Sequence, residues 1–230
     1  EVRRSQNWVG GSRPGNAVFV PPPPQLLPQA LSALERYIHA DHDLPPLIRI
    51  GLIHVQFETL HPFLDGNGRL GRLLIALLLE DWGLLREPLL YISLFFKRFR
   101  SEYYRRLDAV RTVGEWEPWL QFYLDGVASI ASEAVAAIRD LGDQVNGDRA
   151  RLLSLKEASV PAMRLFERLP EHPVVTVTRV VELLDTTRPT AGKAIATLEK
   201  AGILIETTGR KRDRTWHYGK YIEILREGTE

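Results

Sequence analysis

A mainly α-helical protein that ends in a small mixed domain is what this sequence leads one to expect. Apolar residues recur at helical spacing from Leu26 to Ile38, and similar stretches follow through the first two thirds of the chain. Near residue 160 the pattern changes to shorter helical stretches, β-branched segments and a basic turn. The chain has 230 residues, 44% hydrophobic and 26% charged, which suits one large domain or a domain with a small companion.

Residues 1–24 read as non-helical. Gly10-Gly11-Ser12-Arg13-Pro14-Gly15-Asn16 is dense in turn formers, residues 17–20 suit a short strand, and Pro21 to Pro24 read as a stiff connector. Leu26, Leu27, Ala30, Leu31, Leu34 and Ile38 mark one helix. Pro45-Pro46 opens a second, 47 to about 60, because a first turn tolerates proline. Residues 61–68 hold a proline and two glycines and cannot be helical throughout. A third helix is expected over about 69–81. Its 73–79 run is apolar all round, which predicts a central, buried position. Further helices are expected near 88–95, 98–111, 116–139 and 149–158, with Trp116, Trp119, Phe122 and Tyr123 as core. Beyond residue 160, helices over 161–169, 178–184 and 189–201 surround a β-branched stretch at 172–176, and two strands flank a basic turn within 203–218. This order resembles a winged helix-turn-helix. The implied division is 1–24, 25–159 and 160–230.

Composition excludes several classes of function. Cysteine is absent, which removes disulfides, thiolate zinc sites and cysteine nucleophiles together. The longest apolar run has seven residues, whereas a membrane span needs roughly 20, so no membrane role is expected. A soluble, reducing, cytoplasmic setting follows as the expectation. The net charge of +1 points neither toward nor away from nucleic acid. Residue 1 is Glu and the only methionine is Met163, so the start reads as a processing boundary with sequence upstream.

The chemistry concentrates in residues 61–72, His-Pro-Phe-Leu-Asp-Gly-Asn-Gly-Arg-Leu-Gly-Arg. Gly66-Asn67-Gly68 lies where a loop enters a helix. Glycine lets consecutive N–H groups converge, and the helix start adds partial positive charge, which together suit an anion. Arg69 and Arg72 are three apart and flank that mouth, with a geometry that matches phosphate oxygens. Asp65 beside them would repel an anion unless a divalent cation intervenes. His61 can act as a general base near neutral pH. A plain helix cap accounts for any one of these residues, but not for all of them within twelve positions. The set specifies a site for phosphoryl or nucleotidyl transfer.

The run matches the H-P-F-x-[DE]-G-N-G-R-x-x-R signature of Fic-domain protein adenylyltransferases without departure. The resemblance extends from Asn7-Trp8-Val9-Gly10-Gly11 through Phe57-Glu58-Thr59-Leu60 to Glu102-Tyr103-Tyr104. It looks like the bacterial subgroup with a carboxyl-terminal winged helix, which implies a Fic helical core with a β-hairpin flap. The resemblance also implies the chemistry. His61 deprotonates a Ser, Thr or Tyr hydroxyl of a target protein, or of this protein itself, and AMP passes from ATP to that oxygen. Asp65 holds Mg2+ or Mn2+. The segment Gly66, Asn67, Gly68, Arg69, Leu70, Gly71 and Arg72 holds the phosphates, with the Asn67 side chain on the α-phosphate. Phe63 anchors the loop. Asn16, Ala17, Val18 and Phe19 belong to the flap, which contacts nucleotide and receives the target as an added strand. Tyr103 and Tyr104 reach the adenine and ribose side, although neighbouring helix positions face differently, so one of them is core.

Other features read more plainly. His54 is a helix histidine, and His39, Asp41, His42 and Asp43 form a solvated helix end without the spacing of a metal site. Arg188, Lys193, Lys200, Arg210, Lys211, Arg212 and Arg214 outline a basic face. Residues 161–230 nevertheless hold twelve basic and ten acidic residues, so DNA, protein docking and a homodimer all stay open as roles. Two other functions compete with AMP transfer. One is a winged-helix regulator that senses nucleotide, and the other is a Fic enzyme that transfers phosphate, UMP or phosphocholine. Many Fic proteins carry an inhibitory [ST]-x-x-x-E-[GN] helix. Ser129 with Glu133 and Thr178 with Glu182 have its spacing but not its last residue, so that helix is expected upstream of Glu1.

Overall fold

The computed structural model describes residues 1–86, 90–156, 158–210 and 212–227. Amphipathic periodicity becomes a helical chain: α1 (Leu27–His39), α2 (Pro46–Leu60), α3 (Asn67–Asp81), α4 (Ile92–Arg98), α5 (Arg100–Val113), α6 (Trp116–Ser154) and α7 (Val160–Arg168). β1 (Val174–Thr176), α8 (Val177–Leu184), α9 (Arg188–Lys200), β2 (Leu204–Glu206), β3 (Thr215–Tyr218) and α10 (Gly219–Glu227) follow. The expected start of the fourth helix at Pro88, and Lys211 of the basic turn, lie outside the described residues. No described helix is long and apolar enough to cross a membrane. The fold is mainly helical, as the spacing predicts.

The chain divides into two units, Glu1–Ser132 and Glu133–Glu230. The boundary between the units, Ser132 to Glu133, lies within α6. The helices expected over 116–139 and 149–158 are one continuous helix of 39 residues. Gly142 and Gly147 weaken it by roughly 1 kcal/mol each, which does not break a helix whose far end is anchored by packing. Leu152 is fully buried among residues of the second unit, and Asp148 accepts a 2.7 Å hydrogen bond from the Tyr218 hydroxyl.

In the first unit α1 to α5 and the first half of α6 enclose one core. Leu27, Ile50, Ile53, Ile75, Leu107, Trp119 and Tyr123 are its most buried members. Trp119 donates from Nε1 to the Gly51 carbonyl at 3.0 Å, so the largest ring in the core is also satisfied as a donor. Trp116, read as core, is instead partly exposed at the start of α6. Helix α3 also departs from expectation. Ile75, Leu78 and Leu79 are buried, but Leu73 and Leu77 are each 51% exposed, because α3 packs one face on α2 rather than sitting at the centre.

The amino-terminal segment does not form the expected regular hairpin. Its pairing is a single antiparallel bridge, Val9 with Phe19, flanked by a 3-10 turn at Pro14–Asn16. Gly10 and Gly11 both have positive φ, and Pro14 and Pro21 lack N–H donors, so a ladder cannot propagate in either direction.

The second unit packs α7, α8 and α9 on an antiparallel sheet of order β1-β3-β2. Val175 faces Trp216, and Leu204 faces Tyr218, so the inward positions of both outer strands meet those of β3. Helix α10 was not anticipated by periodicity. Leu152→Ala should destabilise this unit by about 2–5 kcal/mol, because it removes a fully buried side chain. Leu153→Ala, at a position 61% exposed, should change stability by less than about 0.5 kcal/mol. Denaturant unfolding of both variants checks the contrast.

Candidate active site

The loop from α2 to α3 is built by opposed helix ends. His61 closes α2 in the left-handed region at φ 47°, with its N–H bonded to the Phe57 carbonyl. A non-glycine residue holds that conformation only when its surroundings fix it. The fixing group is Arg3, which is buried. Its Nε donates to the His61 carbonyl at 2.9 Å, its guanidinium also reaches the Leu60 and Pro22 carbonyls, and its backbone N–H donates to the Pro62 carbonyl. Asn7 donates to the Phe63 carbonyl at 2.8 Å. Burial lowers the pKa of His61, and the charges of Arg111 and Arg3 lower it further, while the Glu58 carbonyl opposes them. The Glu58 carbonyl opposes burial more than either arginine adds to it, and the net shift is still downward. His61 is therefore a neutral base at neutral pH.

Gly66 begins α3 in the left-handed region at φ 84°, where glycine carries no penalty. No side chain caps the helix, so its first N–H groups stay open to an anion. Asp65 receives the Gly66 N–H at 2.7 Å and pairs loosely with Arg69 at 3.4 Å. Both side chains are largely exposed. The Asn67 side chain is buried, accepts from the Phe63 N–H at 2.8 Å and donates to the Phe63 carbonyl at 2.7 Å. It closes the loop on itself. Gly71 faces α2 rather than the mouth, and Leu70 lies on the exposed side. At the mouth, therefore, stand the helix start, Arg69 and Arg72.

Arg72 leads into a cavity of about 330 Å³ lined by Tyr91, Ser93, Lys97, Arg100, Tyr103 and Tyr104. Arg72 donates from Nε to the Ser93 hydroxyl at 3.1 Å. Among the described residues its lining carries three cationic side chains and no carboxylate. The two tyrosines divide as neighbouring helix positions must. Tyr103 is buried and bonded to His54, whereas Tyr104 is 47% exposed beneath Arg100.

Comparison with known proteins supports a likeness to Fic proteins, and it does not reach the bacterial subgroup or the winged helix. Residues 1–79 match the Fic/DOC family. A Drosophila sechellia protein named protein adenylyltransferase Fic is 33% identical over 147 residues, which are 63% of this chain and 27% of that protein. Its Drosophila persimilis counterpart is 30% identical over 182 residues, 72% of this chain and 33% of that one. The chain thus spans about a third or less of the length of these relatives. A crystal structure of a Fic family protein from Desulfovibrio desulfuricans G20 has a TM-score of 0.56 and 20% identity, covering 94% of this chain and 62% of that one. That likeness shows a shared fold.

Several residues around this site have no sequence signal of their own. Arg3, Lys97 and Arg100 look like ordinary surface cations in one dimension. His54 is fully buried, bonded to the Gly71 carbonyl at 3.1 Å and to the Tyr103 hydroxyl at 2.9 Å. Burial lowers its pKa to about 4. In the unfolded chain it protonates near 6.5, so the unfolded state binds more protons between the two values and stability falls as pH drops through that window. The loss from His54 alone is about 3 kcal/mol. Glu58, whose carboxyl is pushed up by burial, works in the opposite sense. His54→Gln should flatten the fall in unfolding free energy between pH 6.5 and 4, measured by denaturant titration at each pH.

Proposed function

We propose that this protein is a protein adenylyltransferase, moving AMP from ATP to a hydroxyl of a target protein and of itself. One observation carries the reading: a partly buried, neutral His61 ends α2 across a short loop from the uncapped start of α3. A base and an anion cradle are thereby held by adjoining helix ends. The name of the Drosophila relatives supports the same activity.

In this mechanism the open N–H groups at the start of α3 hold the α-phosphate, where negative charge grows during transfer. Arg69 and Arg72 hold the outer phosphates, and the cavity beside Arg72 takes the remainder of the nucleotide against Tyr104. His61 accepts the proton of the target hydroxyl as that oxygen bonds to the α-phosphorus. The bond to the bridging oxygen breaks, and pyrophosphate leaves. Asp65 suits a magnesium ion, because its exposed carboxylate needs only phosphate oxygens and water to complete a coordination shell. Such an ion would neutralise the repulsion between carboxylate and triphosphate. A nucleotide sensor would need no base, so His61 favours the enzyme. The carboxyl-terminal unit we read as a winged helix-turn-helix, with α8 and α9 as the helix pair and β2–β3 as the wing. Arg214 of that wing is engaged by Glu199 and Glu206 and lies over Trp216, which favours a protein-docking role over DNA.

The test is incubation with labelled ATP in a cell lysate, followed by mass spectrometry of labelled proteins. An added mass other than AMP would identify a different transferred group. His61→Ala should lower transfer by about 10²–10⁴-fold and leave ATP affinity nearly intact. The wild-type acid limb should lie below pH 6.5, since the base must lose its proton and its pKa is lowered. Excess chelator should abolish transfer, and Asp65→Asn should weaken it without lowering the unfolding midpoint. Undiminished activity in chelator would remove the metal from the scheme.

A further inference from the structure

A flap held by one bridge needs an outside tie, since even a complete two-stranded hairpin is marginal in water. Arg3 and Gln6 fasten the segment near its root, through the Pro22 and Pro21 carbonyls. Toward the bridge itself the contact comes from α5. The Arg111 guanidinium lies 3.9 Å from the centroid of the Phe19 ring. The same side chain donates from Nε to the Thr59 hydroxyl at 3.2 Å. That hydroxyl in turn donates to the Val55 carbonyl at 2.8 Å, which keeps its lone pairs turned to accept. Thr59 sits in the last turn of α2, two residues before His61. The buried carboxyl of Glu58 attracts Arg111 and lacks a hydrogen-bond partner for its Oε1 among the described residues. Arg111 is itself largely withdrawn from solvent, so its attraction to the ring is stronger than at an exposed site.

We propose that Arg111 is a positioning residue that latches the flap, through Phe19, to the helix end that presents His61. The flap and the base are then held in one register before a target arrives. A planar guanidinium suits this double contact, because it stacks on the ring with its face while its edge donates to Thr59. The consequence for target binding rests on the transferase reading. The latch itself does not.

Amide hydrogen exchange on the full chain without nucleotide tests the latch directly. The reporters are the Val9, Val18 and Phe19 amides, each bonded across the bridge. Arg111→Met should speed their exchange by about 5- to 30-fold, with α2 amides unchanged. Phe19→Ala should do the same, and the double variant should be no faster than either single one. Arg111→Lys should recover only part of the protection, because an ammonium cannot stack and donate together. Flap exchange that is unchanged in Arg111→Met, or effects that simply add, would overturn the latch. Should Arg111→Met fail to fold, Phe19→Leu tests the same contact from the flap side and should also loosen the bridge. In transfer assays, Arg111→Met should raise KM for the target protein about tenfold with KM for ATP within about twofold. An equal rise in both would overturn the proposal. A wild-type protein that transfers nothing would defeat the proposed function, and the exchange result would still decide the latch.

Discussion

The close approach of α2 and α3 at Gly71 is the constraint on which the site depends. A Cβ at position 71 would lie 2.4 Å from Glu58 Oε1 and 3.3 Å from the His54 ring. A larger residue would have to displace the Glu58 carboxylate and crowd the Phe57 and His54 rings, so glycine lets the two helices approach here without moving their side chains. Their ends then stand one short loop apart. The carboxyl end of α2 delivers His61, and the amino end of α3 delivers open N–H groups. A wider spacing would separate base from cradle and leave each an unremarkable helix terminus. Gly68 adds to the same economy of space, since a Cβ there would come within 3.1 Å of Arg72.

Charge is arranged around this meeting point in an uneven way. Arg3, Arg69, Arg72 and Arg111 come from three parts of the first unit, whereas the carboxylates close to them among the described residues include Asp65 and Asp108, which are exposed, and Glu58, which is buried. Burial disfavours the ionised form of Glu58, and the cations beside it favour that form. The region is left ready for an anion whose charge the protein does not itself supply.

The 61–72 motif was legible in one dimension because each of its parts is local. A base, a turn and a helix start are all encoded within twelve consecutive residues. Helix positions were legible for the same reason, from α1 through α9. What lay hidden was set by distance along the chain. Arg3 lies 58 residues from His61, and Arg111 lies 52 from Thr59, so neither pairing has a periodic trace. The Asn67 side chain was assigned to the α-phosphate by resemblance, and what one dimension does not show is its tie to the Phe63 backbone through its carbonyl oxygen and one amide N–H. The flap failed as a ladder because its prolines and glycines, correctly read as turn formers, also forbid further pairing. The length of α6 was missed because glycines mark a break only when no distant core holds the helix on both sides of them.

The His54 cluster has a direction. The Gly71 carbonyl can only accept, so Nδ1 of the neutral ring carries the proton. Nε2 is then the acceptor, and Tyr103 must donate to it. Every proton in the row Tyr103, His54, Gly71 is thus committed, and the ring cannot take up another without forcing the tyrosine to let go. Such a row behaves as an insulator. Two imidazoles lie within two turns of the same helix end, and the buried one is kept from exchanging protons with its neighbour. On the proposed transferase reading, a proton taken up by His61 would leave toward solvent rather than inward through the core.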